Sequence, residues 1–328
     1  MGATGAVGEE MLKILEQRRF PVDKLVLLAS HRSVGKTYSF KGRQVPVEEL
    51  KESSFGGIDI VLASAGGSIS KKFAPFAVKA GAVVVDNTSA FRMDPAVPLV
   101  IPEINPEDIK KHKGVIANPN CSTIIMLVPL YPIHKVNRIK RILVSTYQAA
   151  SGAGAKAMKE LEDQARDVLA GYPVKKEVFP HQIAFNLFSH NSAIKDDGYN
   201  EEEIKMIKET KKIFHDDKIK IAATTVRVPV FRAHSEAIYV ELARSPDLDR
   251  IRKTLSRAPG VKIVDDTRKN YFPMPLDASG QDDVLVGRIR KDLSSPKGLC
   301  LFVSGDQLRK GAALNAVQIA EILCGRSS

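Results

Sequence analysis

Cys121 stands in the run Asn118-Pro119-Asn120-Cys121-Ser122-Thr123, directly ahead of the apolar stretch Ile124 to Leu130. On the first turn of a helix, a thiolate is favoured by free N–H groups and the positive end of the dipole, which makes Cys121 the candidate nucleophile. The competing explanation is a capping segment with an incidental small residue. Cys300, inside an apolar strand, and Cys324, on the last helix, read as packing residues. A thiol nucleophile needs a base and something to hold the charge of a carbonyl adduct. Arg227 and His234 flank the segment Val228 to Ala233, where Pro229 and Ala233 suggest a strand end and a turn. A lone histidine is more often structural, and Ser235 and Glu236 could simply satisfy this one. The catalytic reading rests on histidine being the commonest general base.

Gly2-Ala-Thr-Gly5-Ala-Val-Gly8 has the G-x-x-G-x-x-G form and opens an amphipathic helix. Small residues there let the backbone approach a pyrophosphate, and the helix start offers N–H groups to it. Such a loop should follow a strand, and only Met1 precedes it. The expectation is therefore a nucleotide domain whose first strand is missing, the alternative being a merely glycine-rich terminus. The next strand ends Ala29-Ser30-His31-Arg32-Ser33 with no acid at its tip. An acid there suits the ribose 2′-hydroxyl of NAD; an arginine beside hydroxyls suits a 2′-phosphate and points to NADP. Gly35-Lys36-Thr37 imitates the end of a P-loop, but position 30, where the first glycine is required, is serine.

Elements to position these residues follow from hydrophobic spacing. Val7, Met11, Ile14 and Leu15 share a helical stripe, with Arg18 and Arg19 in its last turn. Leu25 to Ala29, Ile58 to Ala63 and Ala82 to Val85 are short continuous apolar strands, as in a parallel sheet covered on both faces, and Ser70 to Lys79 is a helix between the last two. After Cys121 longer strands take over. Arg141 to Gln148, Ile219 to Val230, Ser235 to Leu242, Val284 to Arg290 and Gly298 to Val303 include alternating patterns typical of an antiparallel sheet with one covered face. Helices are predicted over Ala155 to Leu169, Glu201 to Phe214 and Ala312 to Leu323. The fold class is α/β: a Rossmann-like domain over 1–120 with 308–328, and an α+β domain over 121–307 with a mixed, largely antiparallel sheet that has a face to cover.

Composition narrows the classes. The 328 residues are 44% apolar and 27% charged, ordinary for a globular chain. The longest apolar stretch, Ile124 to Tyr131, is far below the roughly 20 residues of a membrane span. Three scattered cysteines and the lack of a signal-peptide pattern suggest a reducing, cytoplasmic setting. No metal-site spacing such as CxxC or HExxH occurs. The net charge of +11 is dispersed, commonly beside acids, as in Arg288-Ile-Arg290-Lys291-Asp292. That favours a solvated basic surface and an anionic small substrate over nucleic acid.

In order along the chain, GATGAVG, DNTSAFRM, NPNCST, TYQAASGAG, VRVPVFRAHSE, VGRIRKD and KGAALNAVQIAE resemble aspartate-semialdehyde dehydrogenase of the bacterial type, over nearly the whole length. The resemblance implies NADPH-dependent conversion of L-4-aspartyl phosphate to L-aspartate 4-semialdehyde, the branch point to lysine, methionine and threonine. It implies Cys121 as the thioester nucleophile, His234 as general acid/base and Gln148 as the residue that orients substrate and thioester. Arg227 would bind the substrate α-carboxylate, Arg92 and Asn120 the phosphate, and Glu202 and Lys205 the substrate amino group and phosphate. Read from spacing alone, those last two are only an i,i+3 surface ion pair. Thr4, Gly5, Ala6, Val7, Arg32, Ser33, Ser151, Gly152 and Asn315 resemble cofactor contacts. A homodimer or dimer of dimers, built through the sheet of the second domain, and inorganic phosphate as co-substrate are also implied. The alternatives are an N-acetyl-glutamyl-phosphate reductase type of enzyme, whose acetylated substrate needs no acid at Glu202, and a catalytically silent NADP- or nucleic-acid-binding relative.

Overall fold

Met11, Leu12, Ile14 and Leu15 bury one stripe of helix α1 (Ala6–Gln17), which starts directly on the glycine loop. Strands β1 (Leu27–Ala29), β2 (Thr37–Phe40) and β3 (Arg43–Glu49) form a small sheet ordered β1-β3-β2, with β1 parallel and β2 antiparallel to β3. The β2–β3 hairpin is absent from the sequence expectation, since its residues are mostly exposed and carry little apolar signal. Strand β4 (Ile60–Ala63), helix α2 (Gly67–Lys79), strand β5 (Val83–Asp86) and strand β6 (Val115–Ala117) follow, and β4-β5-β6 is a parallel sheet. Met1–Ala3 runs between the two sheets: Gly2 N–H donates to Leu28 O, Met1 N to Leu62 O and Ser64 N–H to Met1 O. What leads into the glycine loop is thus a short segment hydrogen-bonded on both sides and not itself a strand.

The chain then enters helix α3 (Cys121–Val136), apolar on nearly every side and accordingly buried from Ser122 through Leu130. The later elements are β7 (Ile139–Gln148), α4 (Ala155–Ala170), β8 (Phe188–Ser189), α5 (Glu201–Phe214), β9 (Lys220–Arg227), β10 (His234–Leu242), α6 (Leu248–Leu255), β11 (Val261–Ile263), α7 (Pro275–Ala278), β12 (Val284–Lys291) and β13 (Gly298–Gly305). Their seven strands form one sheet ordered β11-β12-β13-β10-β7-β9-β8. It is mixed: β7 and β9 are parallel, as are β11 and β12, and the other neighbours are antiparallel. Helix α3 packs on β7, β10, β12 and β13. A π-helical turn, Arg309–Ala313, replaces the expected start of the last helix, and α8 runs from Leu314 to Leu323.

This computed structural model describes residues 1–326, in two compact units: Met1–Asn120 with the chain from Ala312 onward, and Cys121–Gly311. Ser327 and Ser328, assigned to the first domain by sequence, lie outside the described residues. In the first unit α1, α8 and both sheets share apolar clusters, and Arg18 grips Glu321 with Nε at 2.9 Å and Nη2 at 2.7 Å. The glycine loop is equally tight. A Cβ on Gly8 would lie 2.3 Å from Gly2 O and 2.9 Å from Ala3 Cα, backbone atoms that cannot step aside. Gly8→Ala should therefore cost the unit about 1–3 kcal/mol or more through overpacking, read as a lower denaturant midpoint. An unchanged midpoint would show that the loop can relax.

Candidate active site

Cys121 is the first residue of α3 and half-buried, at the positive end of that helix's dipole. Gly311 lies against it: a Cβ there would sit 2.9 Å from Cys121 Cβ and 3.3 Å from Gln307 Cβ. Ser122, next on the helix, accepts a 2.7 Å bond from Gln148 Nε2. Gln148 ends β7 and also reaches Glu202 Oε1 at 3.4 Å. Glu202 is buried, and Lys205 Nζ holds its other oxygen at 3.2 Å. The pair expected at the surface is thus half inside the protein and joined to Gln148. The α5 capping box of Asn200 and Glu203 fixes the turn that carries it.

Just past β7, Ala149 serves two of these side chains. Its N–H donates to His234 Nδ1 at 3.0 Å, and its carbonyl accepts Arg227 Nη1 at 2.8 Å. Ser235 and Glu236 do not satisfy His234; Ser235 Oγ bonds Ser304 instead. Because Nδ1 accepts, the neutral ring carries its proton on Nε2. Burial, then the positive charge of Arg227, lower this imidazole to about 3, so it stays neutral at ordinary pH. Arg227 is buried at the end of β9, with Phe179 beneath its guanidinium and Cys121 and Glu202 within electrostatic reach. Its Nε–H has no protein partner. Gly152 closes the group: a Cβ there would lie 3.0 Å from His234 Nε2 and 3.1 Å from Arg227 Nη1.

The turn that delivers His234 is strained. Ala233 has φ 72°, a left-handed conformation costly for a residue with a Cβ. Its N–H is held by Gln307 Oε1 at 2.8 Å, while Gln307 Nε2 donates to Ser151 Oγ. Gln307 and Ser122 carried no sequence signal, being single polar residues at the end of a strand and the start of a helix.

The other candidates lie in the first unit. Arg92 is buried, with Nε on Asn118 O at 2.9 Å and Nη2 on Asn87 O at 3.1 Å. Asn120 is also buried. Thr4 Oγ1 and Ser33 Oγ are 3.2 Å apart, which joins the glycine loop to the tip of β1, where Arg32 is exposed. No side chain caps α1 at Gly5, and Gly5, Ala6 and Val7 present their backbone at the start of that helix. Asn315 spends its amide N–H groups on Val100 O at 3.0 Å and Asn118 Oδ1 at 2.6 Å. A helix start without a side-chain cap suits a dinucleotide pyrophosphate.

Residues 1–112 match the family model "Semialdehyde dehydrogenase, NAD binding domain", and residues 130–310 match "Semialdehyde dehydrogenase, dimerisation domain". An aspartate-semialdehyde dehydrogenase from Synechocystis sp. is 59% identical over 326 residues, 99% of this chain and 96% of that protein. A crystal structure of aspartate semialdehyde dehydrogenase II from Vibrio cholerae, described as complexed with ASA, is 49% identical with a TM-score of 0.96 over 99% of this chain and 96% of that one. The Candida albicans enzyme with NADP is 25% identical with a TM-score of 0.77, over 99% and 97%.

Two residues beyond His234, Glu236 is fully buried and no protein group bonds either carboxyl oxygen. Desolvation pushes this carboxyl well above its usual range, so it is held as the neutral acid. A folded-state pKa that is raised stabilises fully below the ordinary carboxylate range, and the contribution drains away as pH rises. Glu236→Gln cannot ionise. Its Tm relative to the parent should rise as pH climbs above the ordinary carboxylate range; a difference independent of pH would contradict the buried neutral acid.

Proposed function

This chain belongs to the aspartate-semialdehyde dehydrogenase family, and we propose on that footing that it carries out NADPH-dependent reductive dephosphorylation of L-4-aspartyl phosphate to L-aspartate 4-semialdehyde, reversibly, for lysine, methionine and threonine biosynthesis. The observation that carries the reading is the convergence of the α3 start, the Nε2–H of His234 and the open Nε–H of Arg227 in one unit.

Cys121 Sγ attacks the acyl carbon; the C–S bond forms and the C–O bond to phosphate breaks, its electron pair leaving with phosphate. Bound NADPH supplies the hydride that reduces the resulting thioester carbonyl. The oxygen's electron pair then re-forms the carbonyl and expels the sulfur as thiolate, releasing the aldehyde. His234 Nε2–H donates to the negative charge that develops on oxygen or sulfur and exchanges the proton there. The positive end of the α3 dipole adds to that stabilisation. Gln148, fixed by Ser122, orients the acyl group. Arg227 takes the α-carboxylate, for which its buried, unpartnered Nε–H is suited. Glu202 takes the α-amino group, and Lys205, Arg92 and Asn120 attract the phosphate. A buried acid at 202 favours a free amino group over the acetylated substrate of the rival reductase.

The residues suited to hold the cofactor are Thr4, Gly5, Ala6, Val7, Arg32, Ser33 and Asn315 in the first unit and Ser151 and Gly152 in the second. The acid-free strand tip with Arg32 supports NADP over NAD. A homodimer is proposed through the half-open face of the sheet, where Leu143, Tyr147, Ala237 and Tyr239 stand in register with Cys300 and Phe302.

Cys121→Ser should lower phosphate-dependent reduction of NADP by about a thousandfold or more while NADPH still binds, measured by stopped assay and fluorescence titration. Retained turnover would refute the thioester. Ala237→Arg puts an unpaired charge on the proposed dimer face; sedimentation should then report a monomer, and an unchanged mass would exclude that face.

A further inference from the structure

His190 lies between β8 and α5, in a polar loop with no periodic signal. Its backbone N–H is fixed on Thr225 O of β9 at 2.9 Å. Its Nε2 lies 2.9 Å from Arg227 Nη2, and its Nδ1 accepts Ser192 N–H at 3.2 Å and lies 3.1 Å from Ser192 Oγ. Ser192 Oγ accepts in turn from Glu202 N–H at 3.2 Å, in the first turn of α5. Arginine has only donors, so His190 Nε2 must be the acceptor of that contact. The guanidinium is then held from two sides, by Ala149 O on Nη1 and by His190 on Nη2. Nε–H and the second Nη2 hydrogen remain for a carboxylate.

We propose that His190 is the positioning residue of the Arg227 clamp, setting the guanidinium plane so that it receives the substrate α-carboxylate, and that its protonation releases the clamp. This rests on the carboxylate role of Arg227 given above. Protonated, His190 would present Nε2–H to a nitrogen that has no lone pair to offer, and two positive charges would face each other. The charged groups around the ring are Arg227 on β9, Glu202 and Lys205 on α5, and the titratable His234 on β10. Burial first, then Arg227 and Lys205, lower His190 to about 4 against the opposing pull of Glu202. The clamp is therefore whole at neutral pH and loosens toward acid.

The test is steady-state kinetics of phosphate-dependent oxidation of L-aspartate 4-semialdehyde from about pH 4 to about pH 8, on the whole enzyme. His190→Leu removes the acceptor; His190→Gln keeps an acceptor that does not titrate. The leucine variant should raise KM for the semialdehyde about tenfold with kcat nearly unchanged, the size of one charge-assisted hydrogen bond. The glutamine variant should restore KM and lose its rise at acid pH. An acid limb retained in the glutamine variant overturns the proposal, and this arm stands by itself if the leucine variant does not fold. Arg227→Leu separates the two ideas: in that background His190→Leu should add nothing. If Arg227→Leu leaves KM alone, the clamp role of Arg227 falls. If it raises KM while His190→Leu does not, only the His190 proposal falls.

Discussion

A single backbone residue, Ala149, donates to His234 and accepts from Arg227. Its two polar groups are obligatory hydrogen-bonding partners that a buried turn must satisfy, and here they are satisfied by the two side chains with the chemistry. The bond to Nδ1 decides the histidine tautomer, and the bond to Nη1 fixes one arm of the arginine fork. Gly152, three residues on, must lack a side chain because the ring and the guanidinium occupy its Cβ space. The 3-10 turn Ala150–Ala153 is thus shaped by the site as much as the site by the turn.

Burial then sets the charge state of each group. Desolvation dominates the shifts of His234, His190 and Arg227, and the positive charge of Arg227 lowers both rings further. The result is a site with one strong fixed cation, two neutral imidazoles and one buried acid, Glu202. The acid keeps Lys205 at its edge and faces Gln148. A neutral imidazole with its proton directed outward is a donor to anionic sulfur or oxygen, which is the need of acyl transfer through a thiolate.

Two helix starts provide the remaining polarity. In the first unit α1 opens without a side-chain cap on a loop whose glycines pack against backbone. In the second, α3 opens on Cys121 itself. Both direct the positive end of a helix dipole outward, which favours negative charge placed there. The strain at Ala233 is the local cost of turning β10 so that His234 arrives inside, and Gln307 offsets it.

Much of this was legible in the sequence. The glycine loop, the apolar run behind Cys121, the helix Glu201–Phe214 and the alternation in β7 and β10 are local patterns, and local patterns report which side chains face the core. The β2–β3 hairpin, the burial of Glu202 and the roles of His190, Ser122 and Gln307 were not legible. Arg227 meets Ala149 across 78 positions and His190 across 37, and the partner is often a backbone group, which has no residue signature. Sequence by itself determined the order of elements, the family motifs and the identity of the nucleophile's helix. Only the tertiary structure decided which nitrogen of His234 is bare and which acid sits inside. Tautomer and ionisation depend on the desolvation and the neighbours that exist once distant strands have come together.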